Sequence, residues 1–196
     1  MKLILSLVTA VVVSVLSLAP ASAAPQRFGS FVVSDSPDYI LFDGSFVLST
    51  LADFRRAMLA RPEAKLLVLR SKGGEVDSAL AVAASVRRFG FSTAVPSGYH
   101  CYSACAYVFF AGREHVVTGK LGVHRIRESG STGSRAADVY FESVRGEIER
   151  FVPKNVMKYM VSTPPTSMHV FSRKEIEALS INRASPGSIA TKLAAR

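Results

Sequence analysis

The feature that most constrains the fold is a continuous apolar run at 66–69 (LLVL), which leads directly into a glycine-containing turn. A run without polar alternation is typical of a parallel strand that is buried on both faces. The turn at 71–74 (SKGG) opens an alanine-rich helical pattern over 76–89. The start of this helix carries Glu75 and Asp77, where acidic groups complement the helix dipole. This strand, turn and helix predict an α/β fold, because parallel strands need a crossover that is usually helical.

The same plan is repeated directly afterwards. A strand pattern at 92–95 leads through a proline–glycine turn into 100–105 (HCYSAC), and an apolar helix pattern continues to Phe110. Two short strand patterns then precede His124. Two consecutive units of this kind predict an α/β class with a largely parallel sheet.

Weaker patterns flank these two units. We expect a short polar lead and then a strand at 39–42 on the N-terminal side. On the C-terminal side we expect a long helix at about 135–160 that is interrupted at Pro153, and a capping box at 172–175. The tail at 183–196 is predicted to be poorly ordered.

The N-terminal residues predict export. Lys2 precedes an uncharged, mainly apolar stretch at 3–18, and the small residues Ala21, Ser22 and Ala23 follow. Because a transmembrane helix needs about 20 apolar residues, this stretch is short for a span. It predicts a signal peptide at 1–23 that is cleaved after Ala23, with an uncleaved membrane anchor as the alternative. The remainder is predicted to be one domain over 24–182, followed by the tail.

A formal net charge of +9 at pH 7 is typical of proteins that bind nucleic acid, but the distribution of the basic residues argues against such a partner. Basic residues are dispersed in pairs such as Arg55-Arg56 and Arg87-Arg88, each in a helical pattern. The sequence has neither a basic motif with interleaved aromatic residues nor the Cys/His spacing of a zinc finger. We therefore expect no nucleic-acid partner, and contact with an anionic envelope surface is the more credible consequence.

Ser103 is the candidate nucleophile. It lies at a predicted strand-to-helix turn, where free backbone N–H groups and the helix dipole favour negative charge. A serine hydroxyl reacts only when a base takes its proton and donors stabilise the oxyanion. The amides of Ala104 and of the 73–74 turn are candidate donors, and His124 is a candidate base. Taken singly, each feature also has an ordinary structural explanation, such as a helix cap, a turn or a core histidine.

Taken in order, these motifs resemble the Clp protease proteolytic subunit, a member of the Clp-protease/crotonase superfamily. The run 67–78 is similar to that family's strand, Ser-x-Gly-Gly turn and helix. The run 102–112 is similar to its nucleophile helix, and 121–124 to the strand that carries its base. The similarity spans roughly 38–181, and secreted members with a Ser-Ala-Cys signature resemble the chain more closely than the cytosolic peptidase does. The resemblance implies a spiral of β-β-α units.

The resemblance also implies roles for four residues. Ser103 matches the nucleophile and His124 the general base, while the amides of Gly74 and Ala104 match the oxyanion hole. It implies hydrolysis of a peptide or small ester without a cofactor. The family habit of forming trimers, hexamers or rings implies a homo-oligomer.

The sequence departs from this family at the third catalytic position. By its spacing, the family's aspartate falls at Met168 or His169, and neither is a carboxylate that could orient His124. The open alternatives for the third member are His169 itself, Asp138, Glu128, a backbone carbonyl or a water.

Two cysteines, Cys101 and Cys105, bracket Ser103 at equal distances along the chain. An exported protein meets an oxidising compartment, so we expect a local disulfide that restricts the backbone around Ser103. Free thiols, a Cys/His zinc site and a cysteine nucleophile paired with His124 are the alternatives. A zinc site usually needs a second ligand pair and the sequence spaces none, so no metal is predicted.

Two hypotheses of function follow. The first is an exported, ATP-independent serine hydrolase, most simply a peptidase, and the second is a catalytically inactive binding or assembly module on the same fold. An exported chain has no ATP supply, so we expect no ATPase partner. An acyl-CoA site is a third interpretation, which rests on fold analogy alone.

Overall fold

The structure is a computed structural model that describes residues 24–33, 39–126 and 134–194. The predicted signal peptide at 1–23 and the candidate acid Glu128 lie outside the described residues. Within the described ranges, no helix is both long and apolar enough to cross a bilayer.

Strands and helices alternate along most of the described chain. The strands are β1 (Gln26–Phe28), β2 (Phe31–Val33), β3 (Tyr39–Asp43), β4 (Leu66–Arg70), β5 (Ser92–Val95), β6 (His100–Tyr102), β7 (His115–Val117), β8 (Lys120–Val123) and β9 (His169–Val170). The helices are α1 (Thr50–Ala60), α2 (Val76–Arg88), α3 (Cys105–Ala111), α4 (Ser134–Glu149), α5 (Lys154–Ser162), α6 (Arg173–Ala178) and α7 (Ile189–Ala194). The predicted break at Pro153 separates α4 from α5, and the predicted capping box begins α6.

The main sheet has six strands in the order β1-β2-β3-β4-β5-β7. Strands β3, β4, β5 and β7 are parallel, whereas β1 and β2 are antiparallel at one edge. The apolar residues of β4 are all buried, as expected for an inner strand covered on both faces. The structure thus confirms a mixed α/β fold with a mostly parallel sheet.

Two strands occupy the region where the sequence predicted only a polar lead. Phe31 and Val33 of β2 are buried, and the Phe31 ring lies 4.8 Å from that of Phe42 and 5.2 Å from that of Phe54. Strands of three residues are too short to show a periodic pattern, and this hairpin is stabilised by packing on α1.

The two faces of the main sheet pack against different partners. Leu67 and Leu69 of β4 belong to the large core that includes residues of α1, α2 and α3. Leu66 and Val68 point to the other face, where they form a smaller cluster with Ala190 of α7. The segment 183–194, which lies within the predicted tail at 183–196, packs on this face of the sheet through Ala190.

A second sheet of three strands, in the order β6-β8-β9, positions the candidate site. Strands β6 and β8 are parallel, so their carboxyl ends lie at the same edge. Ser103 follows β6 and His124 follows β8, which brings both residues to that edge. A bridge between Ser71 and Cys101 joins this sheet to the end of β4.

Candidate active site

Ser103 occupies a left-handed turn between β6 and α3, with a φ of 58°. Its N–H donates to the carbonyl of Gly122 over 2.9 Å, and its carbonyl accepts from the N–H of Ala106 over 2.9 Å. This conformation costs a non-glycine residue about 1–2 kcal/mol, so the surrounding contacts must hold it. Strain of this kind is concentrated at functional sites, where it aims a side chain.

The disulfide between Cys101 and Cys105 encloses this turn. The two Cα atoms are 5.3 Å apart, and both side chains are fully buried. The predicted local bridge is confirmed, and free thiols, a zinc site and a cysteine nucleophile are excluded for this oxidised form. The short ring restricts the backbone on both sides of Ser103.

Gly73 makes room for the Ser103 turn, a role that no sequence pattern indicated. A Cβ at Gly73 would lie 2.8 Å from Cβ of Ser103 and 2.9 Å from the carbonyl oxygen of Tyr102. The φ of Gly73 is also positive, at 100°. Its N–H donates to Oγ of Ser71 over 3.0 Å, which holds the glycine turn against β6. Only glycine satisfies both the backbone angle and this approach.

The two predicted oxyanion donors are backbone amides beside Ser103. Phe46 holds the glycine turn through two backbone hydrogen bonds, in which its N–H donates to Gly73 and its carbonyl accepts from Glu75, each over 3.0 Å. Within the described part of the chain, the N–H groups of Gly74 and Ala104 donate to no acceptor. Donors left unpaired by the fold can bind an anionic oxygen.

Ser103 and His124 line one cleft of about 1090 Å³. Its described lining comes from the α2 start, α3, α4 and the loop before β9. The lining residues are Phe46, Leu48, Gly74, Glu75, Val76, Asp77, Ser78, Ser103, Tyr107, His124, Ile126, Tyr140, Pro165, Thr166, Ser167 and Met168. The structure thus brings the two predicted catalytic side chains and the Gly74 turn to one cavity.

A backbone carbonyl orients the His124 ring. Nδ1 of His124 lies 2.7 Å from the carbonyl oxygen of Arg125. The carbonyl can only accept, so Nδ1 carries the proton and Nε2 is left with the lone pair that a general base uses. A backbone carbonyl is one of the alternatives that the sequence left open for the third member.

The two positions that the resemblance assigned to the acid point in opposite directions. Met168 lines the cleft, and its Cγ and Sδ would lie 2.9 and 3.0 Å from a Cβ at Gly122. His169 instead stacks its ring 4.5 Å from that of Tyr159. Its Nε2 is 3.0 Å from Oε1 of Glu175, an ion-pair distance without hydrogen-bond geometry. His169 therefore lies outside the described lining of this cleft, whereas Met168, one position earlier, is part of it.

Asp138, another candidate for the third member, also lies outside the described lining of this cleft. It lies on the exposed surface of α4 and lines a shallow groove with Arg135, Val139 and Glu142, outside the Ser103 cleft. The residue of α4 that does reach the cleft is Tyr140, two positions further along. A helix rotates by about 100° per residue, so two positions change the face completely.

The carboxylates in the described lining are Glu75 and Asp77, which the sequence pattern indicated only as helix-dipole residues. Oδ1 of Asp77 accepts a 2.7 Å hydrogen bond from the Tyr140 hydroxyl, and Oε2 of Glu75 accepts one of 3.0 Å from Ser78. Burial and the hydrogen bond to Asp77 raise the pKa of Tyr140. Asp77 and Tyr140 are 63 positions apart, so no local pattern could reveal their contact.

Comparison with known proteins supports the fold. No family model and no curated protein matches the chain. Among solved structures, a ClpP1 mutant from Listeria monocytogenes is similar, with a TM-score of 0.56 and 12% sequence identity. The match covers 74% of this chain and 88% of that chain. The protein therefore has a Clp-protease-like α/β fold, and at this identity the likeness concerns the fold alone.

Proposed function

We propose that the protein is an exported, ATP-independent serine hydrolase that acts on peptides. Ser103 is the nucleophile, His124 is the general base, and the amides of Gly74 and Ala104 form the oxyanion hole. In this proposal the helices and strands follow the β-β-α spiral of the Clp-protease/crotonase superfamily.

One observation carries the proposal. Ser103 lies in a left-handed turn at a cleft that His124 also lines, and the Gly74 and Ala104 amides beside it have no acceptor within the described structure. An N-cap serine would use its side-chain oxygen to satisfy the first amides of its helix, but the N-cap of α3 is Ala104, and no described N–H donates to Oγ of Ser103. A serine with only a structural role would not need this arrangement.

The proposed reaction divides into two steps. His124 Nε2 takes the Ser103 hydroxyl proton while Oγ attacks the substrate carbonyl carbon, and the two amides bind the resulting oxyanion. The tetrahedral intermediate expels the leaving amine, which receives the proton from His124, and an acyl-serine forms. A water then attacks the acyl-serine by the same route, which releases the acid and restores the serine.

In this proposal the Arg125 carbonyl holds the His124 ring, and Met168 or His169 stands where the resemblance places the acid. A carbonyl fixes the His124 tautomer but does not neutralise the imidazolium that forms during attack. In the serine-protease template, loss of the acid lowers turnover by about 10⁴, which still leaves a rate far above that in water. We therefore propose a slow or highly selective hydrolase.

Export, oligomerisation and the absence of an ATPase partner belong to the same proposal. The disulfide between Cys101 and Cys105 supports an oxidising compartment such as the periplasm or the cell exterior. Exposed Leu48, Leu59 and Val139 supply apolar surface for contacts between subunits. The net positive charge supports contact with an anionic envelope.

A fluorophosphonate probe tests the proposal, because it reacts only with an activated serine. The oxidised protein, lacking residues 1–23, is incubated with the probe and its intact mass is measured over time. We expect one adduct per chain, and none in the Ser103→Ala or His124→Ala variants.

Ser180→Ala is the matched control for this experiment. Ser180 is the other described non-glycine residue with a positive φ, at 50°, and it is exposed outside the cleft. The Ser180→Ala variant should be labelled at the wild-type rate. If the folded wild-type protein forms no adduct, or if Ser103→Ala is labelled as fast as wild type, the hydrolase proposal is wrong.

The second candidate function is a catalytically inactive binding or assembly module. Met168 favours it, because an apolar side chain lines the cleft where the resemblance places an acid. The same probe distinguishes the two candidates, since a binding module with this fold would remain unlabelled.

A further inference from the structure

The hydroxyl of Tyr107 is a buried polar group that the proposed chemistry does not use. Tyr107 is only 2% exposed and lies one turn after Ser103 on α3, where it lines the cleft. No described residue makes a hydrogen bond to its hydroxyl. The hydroxyl is not among the described side-chain atoms that are fully enclosed without a partner, so it reaches the open cavity. A phenol held this way costs about 1–3 kcal/mol unless water or a ligand completes its hydrogen bonding.

The described lining that Tyr107 shares includes two carboxylates, Glu75 and Asp77. Burial and the neighbouring Tyr140 raise the pKa of Tyr107, so this phenol remains a neutral donor and acceptor. The Tyr140 hydroxyl occupies Oδ1 of Asp77, and no described donor binds Oδ2. Glu75 adds a second carboxylate to the lining.

The cleft lining contrasts with the rest of the molecule. The chain has a formal net charge of +9, yet the described lining contains two carboxylates and neither lysine nor arginine. Low-dielectric walls focus the field of such charges into a cavity. The cleft therefore attracts cations although the protein as a whole is cationic.

We propose that the part of the cleft between α2, α3 and α4 binds a lysine-like side chain of the peptide substrate. This inference rests on the proposed function and adds the substrate class. The ammonium group donates to Oδ2 of Asp77 and to the Tyr107 hydroxyl oxygen, and Glu75 contributes long-range attraction. The methylene stem packs on apolar lining residues such as Val76 and Ile126.

Other side chains fit this site less well. An acidic side chain is repelled by Glu75 and Asp77, because like charges at short range repel one another. An apolar side chain displaces water from Tyr107 without replacing its hydrogen bond, which leaves a buried hydroxyl unpaired. An amine-bearing side chain satisfies the hydroxyl and the carboxylate together.

Peptide binding to the Ser103→Ala protein tests this inference without any requirement for turnover. The probes are fluorescein-labelled Ala-Ala-Xaa-Ala peptides in which Xaa is lysine, norleucine or glutamate, and fluorescence anisotropy gives the affinities. We expect the lysine peptide to bind about ten-fold more tightly than the norleucine peptide, from one charge-assisted hydrogen-bonded pair. Its affinity should fall with added salt, and the glutamate peptide should bind most weakly.

Two further substitutions in this background separate the contacts. Asp77→Asn keeps an acceptor for Tyr140 but removes the charge, and should reduce the lysine preference to about two-fold. Tyr107→Phe should weaken the lysine peptide about five-fold and strengthen the norleucine peptide, because no hydroxyl is then left unpaired. Glu63→Gln removes an exposed charge outside the cleft and is the control for net charge, so it should retain the full preference.

The result that overturns the inference is equal or weaker binding of the lysine peptide relative to norleucine in the folded Ser103→Ala protein, or binding of none of the three peptides. This outcome is distinct from failure of the hydrolase proposal. If Ser103→Ala prefers the lysine peptide but the probe does not label the wild-type protein, the subsite is supported and the hydrolase is rejected. If the probe labels the wild-type protein but Ser103→Ala shows no lysine preference, the hydrolase is supported and the subsite is rejected.

Discussion

At the scale of single residues, Gly73 determines whether Ser103 can take its position. The glycine turn and the serine turn come from different units of the chain, and they approach so closely that no Cβ fits between them. Gly73 leaves space for the Ser103 turn, whereas Gly74 leaves space for the Phe46 backbone, whose carbonyl oxygen would clash with an added Cβ. The two glycines of the pair therefore have different neighbours.

We predict that Gly73→Ala slows fluorophosphonate labelling by about 100-fold, the cost of displacing a reacting group by about 1 Å. Gly98→Ala is the matched control, because Gly98 also has a positive φ, 80°, but a Cβ added there would meet no other atom within 4 Å. The control should lose only about 1–2 kcal/mol of stability through backbone strain. Equal labelling rates for the two variants would contradict a steric role for Gly73.

At the scale of secondary-structure elements, α7 is a short helix with a weak sequence pattern, and its contacts with the main sheet hold it in place. Arg183 pairs its backbone with His115 of β7 through hydrogen bonds of 2.8 and 2.9 Å, which brings the chain onto the sheet. The helix then buries Ala190 against Leu66 and Val68 of β4. A six-residue helix is unstable alone, so packing on the sheet supplies its stability.

We predict that Ala190→Asp lowers the free energy of unfolding by about 2–4 kcal/mol, because it buries a carboxylate in an apolar cluster. Lys192→Asp, at a more accessible position of the same helix, should cost less than about 1 kcal/mol. Urea unfolding followed by circular dichroism measures both. Similar unfolding midpoints for the two variants would show that α7 does not hold this face of the sheet.

At the scale of the whole molecule, His115 links global stability to pH. It is buried at the point where β7, α3 and the C-terminal segment meet, and its Nδ1 lies 3.2 Å from the carbonyl oxygen of Gly112. Burial, the largest influence, lowers the pKa of His115 to about 4, and the nearby Arg183 acts in the same direction. The folded state therefore resists a proton that the unfolded chain accepts.

We predict a loss of stability on acidification that His115 causes. Because the folded pKa lies below the unfolded value of about 6.5, the stabilisation is complete above pH 6.5 and declines as the pH falls towards 4. The loss across this window is about 3 kcal/mol. In His115→Gln, which cannot titrate, urea unfolding at several pH values should show a shallower decline than in wild type. Parallel stability curves for the two proteins would exclude this linkage.

Elements with long apolar patterns were the predictable part of the fold. The strand β4 and the helix α2 belong to this group, because their apolar patterns determine them locally. The hairpin of β1 and β2 and the two-residue strand β9 were not predictable, since they are too short to show a pattern. Their stability comes from neighbours that lie far away in sequence.

For the candidate site, the sequence located Ser103, His124 and the two glycines through spacing and resemblance. It did not distinguish Met168 from His169, because only the pairing register of β9 decides which one faces the cleft. It placed Asp138 near the site, whereas the rotation of α4 presents Tyr140 instead.

The sequence by itself determined the α/β class, the β-turn-α units, the glycine turn after β4 and the disulfide that brackets Ser103. These features depend on residues within a few positions of one another, so short-range sterics and periodicity are sufficient to predict them. Only the tertiary structure decided that Asp77, Tyr107 and Tyr140 meet in the cleft and that α7 closes the second face of the sheet. Such contacts join distant parts of the chain, and their formation depends on how the whole core packs.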